Sequence, residues 1–306
     1  MPYAGKHQAD EWKVATMSKK HQAKPAKPFG EVAQQVLAAS EEFNLAEIDP
    51  SSTPGYVGDK KSGARDLAAV GLELSELQER FFAASRAGAP HKILLVLQGM
   101  DTSGKGGIVR HVIGAVDPQG VTHHAFKAPT AAEAKRDFLW RITKQLPGAG
   151  YIGVFDRSHY EDVLIHKVGG LSDPQEIERR YSAINDFEAS LVDKHTTVIK
   201  VMLHISNEEQ RDRLAERLQR EDKYWKFNPS DIDEREVWDG YMEAYETAIR
   251  RTHTAAAPWF IIPADRKWYA RLAVATLLAQ ALKDIDPQWP AADFDIEEQQ
   301  RRLAAS

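Results

Sequence analysis

The residues best suited to chemistry in this chain begin with Gly99-Met100-Asp101-Thr102-Ser103-Gly104-Lys105-Gly106-Gly107, which follows the apolar run 92–98. A glycine-rich turn between a strand and a helix points backbone N–H groups at an anion, and the positive end of the helix dipole adds to the attraction. Gly99, Gly104, Gly106 and Gly107 permit close approach of phosphate oxygens; Lys105 reaches bridging and terminal oxygens; Thr102 and Ser103 add hydroxyl donors. The spacing is that of a GxxxxGK phosphate loop with one exchange. Where a nucleotide-hydrolysing loop places Ser or Thr on Mg²⁺, this chain has Gly106, and it carries a carboxylate, Asp101, inside the loop. The plain alternative is a flexible turn joining two elements.

A second apolar run, 151–155, ends in Asp156-Arg157-Ser158-His159-Tyr160-Glu161-Asp162. A carboxylate at a strand end beside a phosphate loop holds Mg²⁺ in nucleotide-using enzymes. Asp101 and Asp156 together offer a hard cation two carboxylates in place of the missing hydroxyl. Arg157 reads as a phosphate ligand and Glu161 as a contact on the acceptor side. The competing reading makes Asp156 a turn cap and Glu161 and Asp162 first-turn acids favoured by a helix dipole.

Between residues 105 and 150 seven basic residues, Lys105, Arg110, Lys127, Lys135, Arg136, Arg141 and Lys144, face only three acids. In a chain of net charge −5 this excess beside a phosphate loop suggests a channel for an extended polyanion, with Lys127 among its ligands. Arg213, Arg217 and Arg220 fall at i, i+4 and i+7, one face of a helix, and the cation–aromatic run Lys223-Tyr224-Trp225-Lys226-Phe227 follows. These arginines suit a lid over transferring phosphates. The same helix also reads as solvated, because Glu209 with Arg213 and Glu216 with Arg220 are ordinary i,i+4 pairs.

The elements that position these residues follow from periodicity. Strands are expected at 92–98, 121–126, 151–155, 197–203 and 259–262, and helices around 67–81, 131–145, 174–193, 207–220, 234–251 and 267–283. Alternating strand and helix implies a parallel sheet with helices on both faces. Residues 1–45 read as an extension, flexible or loosely docked, with a short helix hinted by Val32, Val36 and Leu37; 46–290 as the phosphate-loop domain with a lid at about 207–232; and 291–306 as a tail. The absence of cysteine excludes disulfides, thiolate zinc and a cysteine nucleophile. Net negative charge argues against sequence-independent nucleic-acid binding, and the lack of a signal-like or bilayer-length apolar run points to the cytoplasm with no membrane partner.

With these residues in view, the chain resembles the family 2 polyphosphate kinases, relatives of thymidylate kinase in fold. The strings TPGYVGDK, QGMDTSGKGG, FKAPT, DFLWRI, FDRSHYEDV, INDFE, WKFNP and PADRKWY carry the resemblance in family order, over roughly residues 49–290. It implies an α/β three-layer P-loop kinase fold of about five parallel strands with a helical lid mapping onto 213–226. It also implies homo-oligomers, dimeric or tetrameric, and Mg²⁺-dependent exchange of phosphoryl groups between inorganic polyphosphate and nucleotides, with Mn²⁺ as a substitute cation. Asp101 and Asp156 are then the metal carboxylates, and Lys105, Arg157 and Arg217 neutralise the group in transit. The string His159-Tyr160-Glu161-Asp162 is similar to a subgroup that accepts both nucleoside mono- and diphosphates, whose members usually carry Asn where this chain has Asp156. Two rival functions are a small-molecule or nucleoside monophosphate kinase using ATP, disfavoured by Gly106 and the basic run, and a non-enzymatic nucleotide-binding switch, disfavoured by the paired acids and arginines.

Overall fold

A computed structural model describes residues 28–40 and 42–306; most of the expected N-terminal extension, 1–27, lies outside the described residues. In chain order the elements are α1 (Phe29–Leu37), α2 (Lys60–Arg86), β1 (Lys92–Gln98), α3 (Lys105–His111), β2 (Val121–Ala125), α4 (Phe138–Thr143), β3 (Ile152–Asp156), α5 (Glu161–Val168), α6 (Pro174–Asp193), β4 (Thr196–His204), α7 (Asn207–Leu218), a 3₁₀ turn (Glu221–Lys226), α8 (Ser230–Glu236), α9 (Trp238–Thr252), β5 (Trp259–Pro263), α10 (Lys267–Ile285) and α11 (Ile296–Ala304).

The five strands form one parallel sheet in the order β2-β3-β1-β4-β5. β1 lies at its centre and is apolar at nearly every position because both of its faces are covered. Ile93, Leu95 and Leu97 pack with Leu74, Leu77 and Phe81 of α2, Ile108 of α3 and the buried face of α10. Leu94 and Val96 point the other way, into a core with α5, α6 and α9. These two cores make the three layers that strand–helix alternation implies. α2 starts at a reciprocal cap, in which Asp59 accepts from the Ser62 N–H at 2.8 Å and Ser62 Oγ accepts from the Asp59 N–H at 2.9 Å. α1 buries Ala33 and Leu37, and the Ala39 N–H donates to the Trp259 carbonyl at 2.9 Å. Among the described residues no helix is long and apolar enough to cross a membrane.

Three expected helices are cut short or broken. The 131–145 helix is only α4, because Thr130 and Glu133 bond each other in a turn and the Asp137 side chain caps the Leu139 N–H at 2.9 Å, restarting the chain there. The 234–251 helix breaks at Val237, where ψ is 28°, into α8 and α9. The 207–220 helix ends at Leu218, which leaves Arg220 on extended backbone.

Candidate active site

Neighbouring β1 and β3 pair Leu97 with Asp156, so the loop after β1 and the segment after β3 emerge side by side at the carboxyl edge of the sheet, where open α/β sheets bind ligands. Gly99 has φ 143°, and a Cβ there would lie 2.7 Å from the Leu203 carbonyl oxygen of β4. Expected as a phosphate ligand, Gly99 is instead outside the cavity wall; it lets the loop pass β4. Thr102 (φ 66°) and Gly104 (φ 120°) complete the turn. Lys105 Nζ folds back onto the carbonyls of Gly99 at 2.6 Å and Met100 at 3.3 Å, and lies 3.9 Å from Asp101. The hydroxyls of Thr102 and Ser103 are buried without a hydrogen-bond partner among the described residues, leaving two donors beside the loop.

At the end of β3 the Asp156 carbonyl accepts from the Phe126 N–H at 3.0 Å, while its carboxylate has no hydrogen-bond or ion-pair partner among the described residues. Arg157 adopts φ 64°, donates its N–H to the Leu97 carbonyl at 3.0 Å and pairs with Asp101 at 2.8 Å. Ser158, His159 and Tyr160 turn inward and are fully buried. Glu161 returns to the crevice and accepts from Gln98 Nε2 at 3.1 Å.

Charge divides this crevice into two zones. Burial pushes the Asp101 carboxyl up, but Lys105, Arg157 and Arg217 outweigh it and hold the group below the usual carboxylate range. Across from it burial raises Glu161, and burial with the nearby Asp101 charge raises Asp231. Burial and the same Asp101 charge bring Glu234 up to about 7. Asp231 and Glu234 come from α8, which sequence pattern alone did not connect to the loop.

On the other side a cavity of about 800 Å³ runs from the loop, lined by eleven Lys or Arg residues and three Asp or Glu residues. Its cations crowd one another: burial followed by Lys223, Arg217 and Arg110 lowers Lys226, and burial followed by Arg213 and Arg110 lowers Arg271. Lys105, Arg110 and Lys127 of the expected basic run line it. The remainder of that run goes elsewhere. Arg136 and Lys144 flank the Trp140 ring, and buried Arg141 donates to the Lys127 carbonyl at 2.6 Å. Lys267 and Arg271, one turn apart on α10, also line the cavity; their i,i+4 spacing after the last strand was the available signal.

Of the three arginines expected on a lid, Arg217 lines the cavity with its guanidinium 3.3 Å from Asp231 and 2.9 Å from the Lys226 carbonyl. Arg213, expected on phosphate, is spent within the protein. Its five N–H groups meet Glu209 at 2.7 Å, the Thr102 and Ser103 carbonyls at 2.8 and 3.1 Å, and the Ala264 and Asp265 carbonyls at 2.7 and 2.9 Å. It touches the cavity but works as the clamp between the phosphate loop and β5. Arg220 stands at the cavity rim, tied to Glu216 at 3.0 Å and Asp222 at 2.9 Å, and does not share a helical face with Arg213 and Arg217. Both pairs foreseen on a solvated helix, Glu209–Arg213 and Glu216–Arg220, are formed.

Among the described residues no three His, Asp or Glu side chains gather as a metal cage. Asp101 and Asp156 nonetheless line the same cavity, one held ionised and the other unpartnered. That donor set suits a hard cation that takes one or two carboxylates and fills its shell with water and substrate phosphates.

Known proteins resemble this chain. The family model described as Polyphosphate kinase 2 (PPK2) matches residues 57–290. The AMP/ADP-polyphosphate phosphotransferase of Meiothermus ruber is 44% identical over 248 residues, covering 81% of this chain and 91% of its own length. The ADP-polyphosphate phosphotransferase of Rhodopseudomonas palustris is 39% identical over 267 residues, 83% of this chain and 90% of its own. Among solved structures, that of Polyphosphate Kinase 2 from Arthrobacter aurescens superposes with a TM-score of 0.88 at 53% identity, over 93% of this chain and 99% of that one. With its family model spanning the phosphate loop with Asp101, the strand-end Asp156 and the cavity, this chain belongs to the polyphosphate kinase 2 family.

Proposed function

We propose that this chain catalyses reversible transfer of a terminal phosphoryl group between inorganic polyphosphate and a nucleoside di- or monophosphate, with Mg²⁺, or Mn²⁺ in its place, held by Asp101 and Asp156. One observation carries the reading most: the eleven-to-three excess of cationic residues continues from the loop along a cavity of about 800 Å³, more positive charge than a triphosphate tail requires. The unpartnered hydroxyls of Thr102 and Ser103 and the loop N–H groups bind the phosphates nearest the loop. Lys105 exchanges its carbonyl partners for phosphate oxygens. Arg157 and Arg217 neutralise the equatorial oxygens of the group in transit, and Glu161 lies on the acceptor side. Bound by Asp101 and Asp156, the cation would supply positive charge to offset that of the phosphates.

An acceptor phosphate oxygen attacks the terminal phosphorus in line; its P–O bond forms as the bond to the polyphosphate bridging oxygen breaks, and the shortened chain leaves as an anion. The nucleophile is already ionised, so no general base is required, and catalysis rests on positioning and charge. Homo-oligomeric assembly, a property implied by the family likeness, belongs to the same proposal. ³¹P NMR tests the chemistry: loss of polyphosphate signal should match, one for one, a new nucleotide phosphate signal with ADP or AMP as acceptor. Free orthophosphate appearing instead would make the protein a phosphatase and end this reading.

A further inference from the structure

Beneath the β3–α5 turn lies a charged cluster that the proposed reaction does not use. Lys200 of β4 and Glu188 of α6 pair at 2.6 Å with side chains 0% and 1% exposed. Glu188 also accepts from the Tyr160 hydroxyl at 2.8 Å and contacts His159 Nε2 at 3.2 Å. Lys200 donates to the Tyr160 oxygen at 3.0 Å and to the Thr252 carbonyl at 2.7 Å. The Thr252 hydroxyl accepts from Trp259 Nε1 at 2.9 Å. The knot thus joins α6, β4, the end of α9, β5 and the two residues that precede Glu161.

Stability is a poor reason for such a pair. Desolvation of two buried charges roughly cancels their attraction, and apolar residues of like volume often serve as well. Burial pushes Glu188 up, yet Lys200 and His159 outweigh it and hold its carboxyl below the usual range, while burial lowers Lys200 itself. Its partners show what it accomplishes. His159 and Tyr160 follow Arg157, whose φ of 64° is unfavourable for a residue with a side chain. Strained backbone persists only where its surroundings over-determine it. On one side the Arg157 N–H is fixed to Leu97; on the other, the knot holds His159 and Tyr160.

We propose that the buried Glu188–Lys200 pair is a positioning device: through His159 and Tyr160 it holds Arg157 in its left-handed conformation, with its guanidinium on Asp101 and toward the transferring phosphate. Glu188 and Lys200 are positioning residues, and the inference rests on Arg157 being a phosphate ligand. In the full-length chain, Glu188→Leu with Lys200→Met removes both charges at similar volume, and Tyr160→Phe removes only the bridging hydroxyl. Both variants should melt within a few degrees of the parent. In each, kcat for polyphosphate-dependent ATP formation should fall at least about tenfold while KM for polyphosphate and ADP stays within about twofold. The Arg157 Cζ resonance of ¹³C-arginine-labelled protein, assigned by Arg157→Lys, should move toward the position of a free arginine. Folded variants with parental kcat and an unmoved Arg157 resonance would overturn the proposal, as would a loss confined to KM. Should the double variant not fold, Tyr160→Phe decides alone. Should the parent lack transfer activity, the functional reading fails, and the arginine resonance still decides whether the pair positions Arg157.

Discussion

Arg213→Lys separates a substrate ligand from a clamp. The change keeps the charge and most of the side-chain volume but replaces five N–H donors by three, so at least two of the five bonds to Glu209, Thr102, Ser103, Ala264 and Asp265 are lost. Bonds from a charged donor contribute about 1.5–3 kcal/mol each. Some of these acceptors are only partly buried and can turn to water, which reduces the loss to about 2–4 kcal/mol. For a domain of this size that is a fall in Tm on the order of 5–10 °C. Thermal unfolding followed by circular dichroism gives the shift, and initial rates at saturating and limiting polyphosphate give kcat and KM. The clamp reading expects the stability loss together with a lower kcat from a loosened loop. An unchanged Tm with a strongly raised polyphosphate KM would refute it and return the guanidinium to the substrate.

Other outcomes follow from the same geometry. Asp156→Asn and Lys105→Ala should each lower kcat about a hundredfold or more; because the Asp156 carboxylate has no partner among the described residues, the Tm of Asp156→Asn should stay within about 2 °C of the parent's, as calorimetry would show. Gly99→Ala brings a Cβ to 2.7 Å from the Leu203 carbonyl at a φ of 143°, so denaturant unfolding should report a loss of about 2 kcal/mol or more, with activity falling alongside. Glu234 is raised to about 7 in the folded chain from an ordinary carboxyl value near 4.5. The native state therefore binds the extra proton between those values, and stability drains as pH rises through that window. Glu234→Gln should match the parent near pH 4 and become progressively more stable than it toward pH 8; a stability difference independent of pH would show that Glu234 does not titrate in this range.

The sheet was legible because a central parallel strand buried on both faces has a continuous apolar signature, as residues 92–98 do. Helix bounds were less so. The breaks at Val237 and Leu218 carry no periodic signal, and the Asp137 cap that shortens α4 competes with an otherwise helical pattern. In the site, loop residues and strand-end groups brought together by β1–β3 pairing followed from order along the chain. The arginines did not. Arg213, Arg217 and Arg220 share a helical spacing, yet one is buried against carbonyls, one lines the cavity and one sits beyond the helix end. Spacing gives the face a side chain starts from, whereas its partners depend on what the fold packs there. Asp231 and Glu234 went unnoticed for that reason, since only folding brings α8 to Asp101.

The central claim is that the basic cavity serves polyphosphate as phosphoryl donor. The most direct test supplies purified protein with Mg²⁺ and ADP, with and without long-chain polyphosphate, and quantifies ATP by ion-exchange chromatography, with AMP, GDP and GMP as parallel acceptors. The account predicts nucleotide formation that requires polyphosphate and saturates with it. Failure of every adenine and guanine acceptor to yield a polyphosphate-dependent product would contradict it.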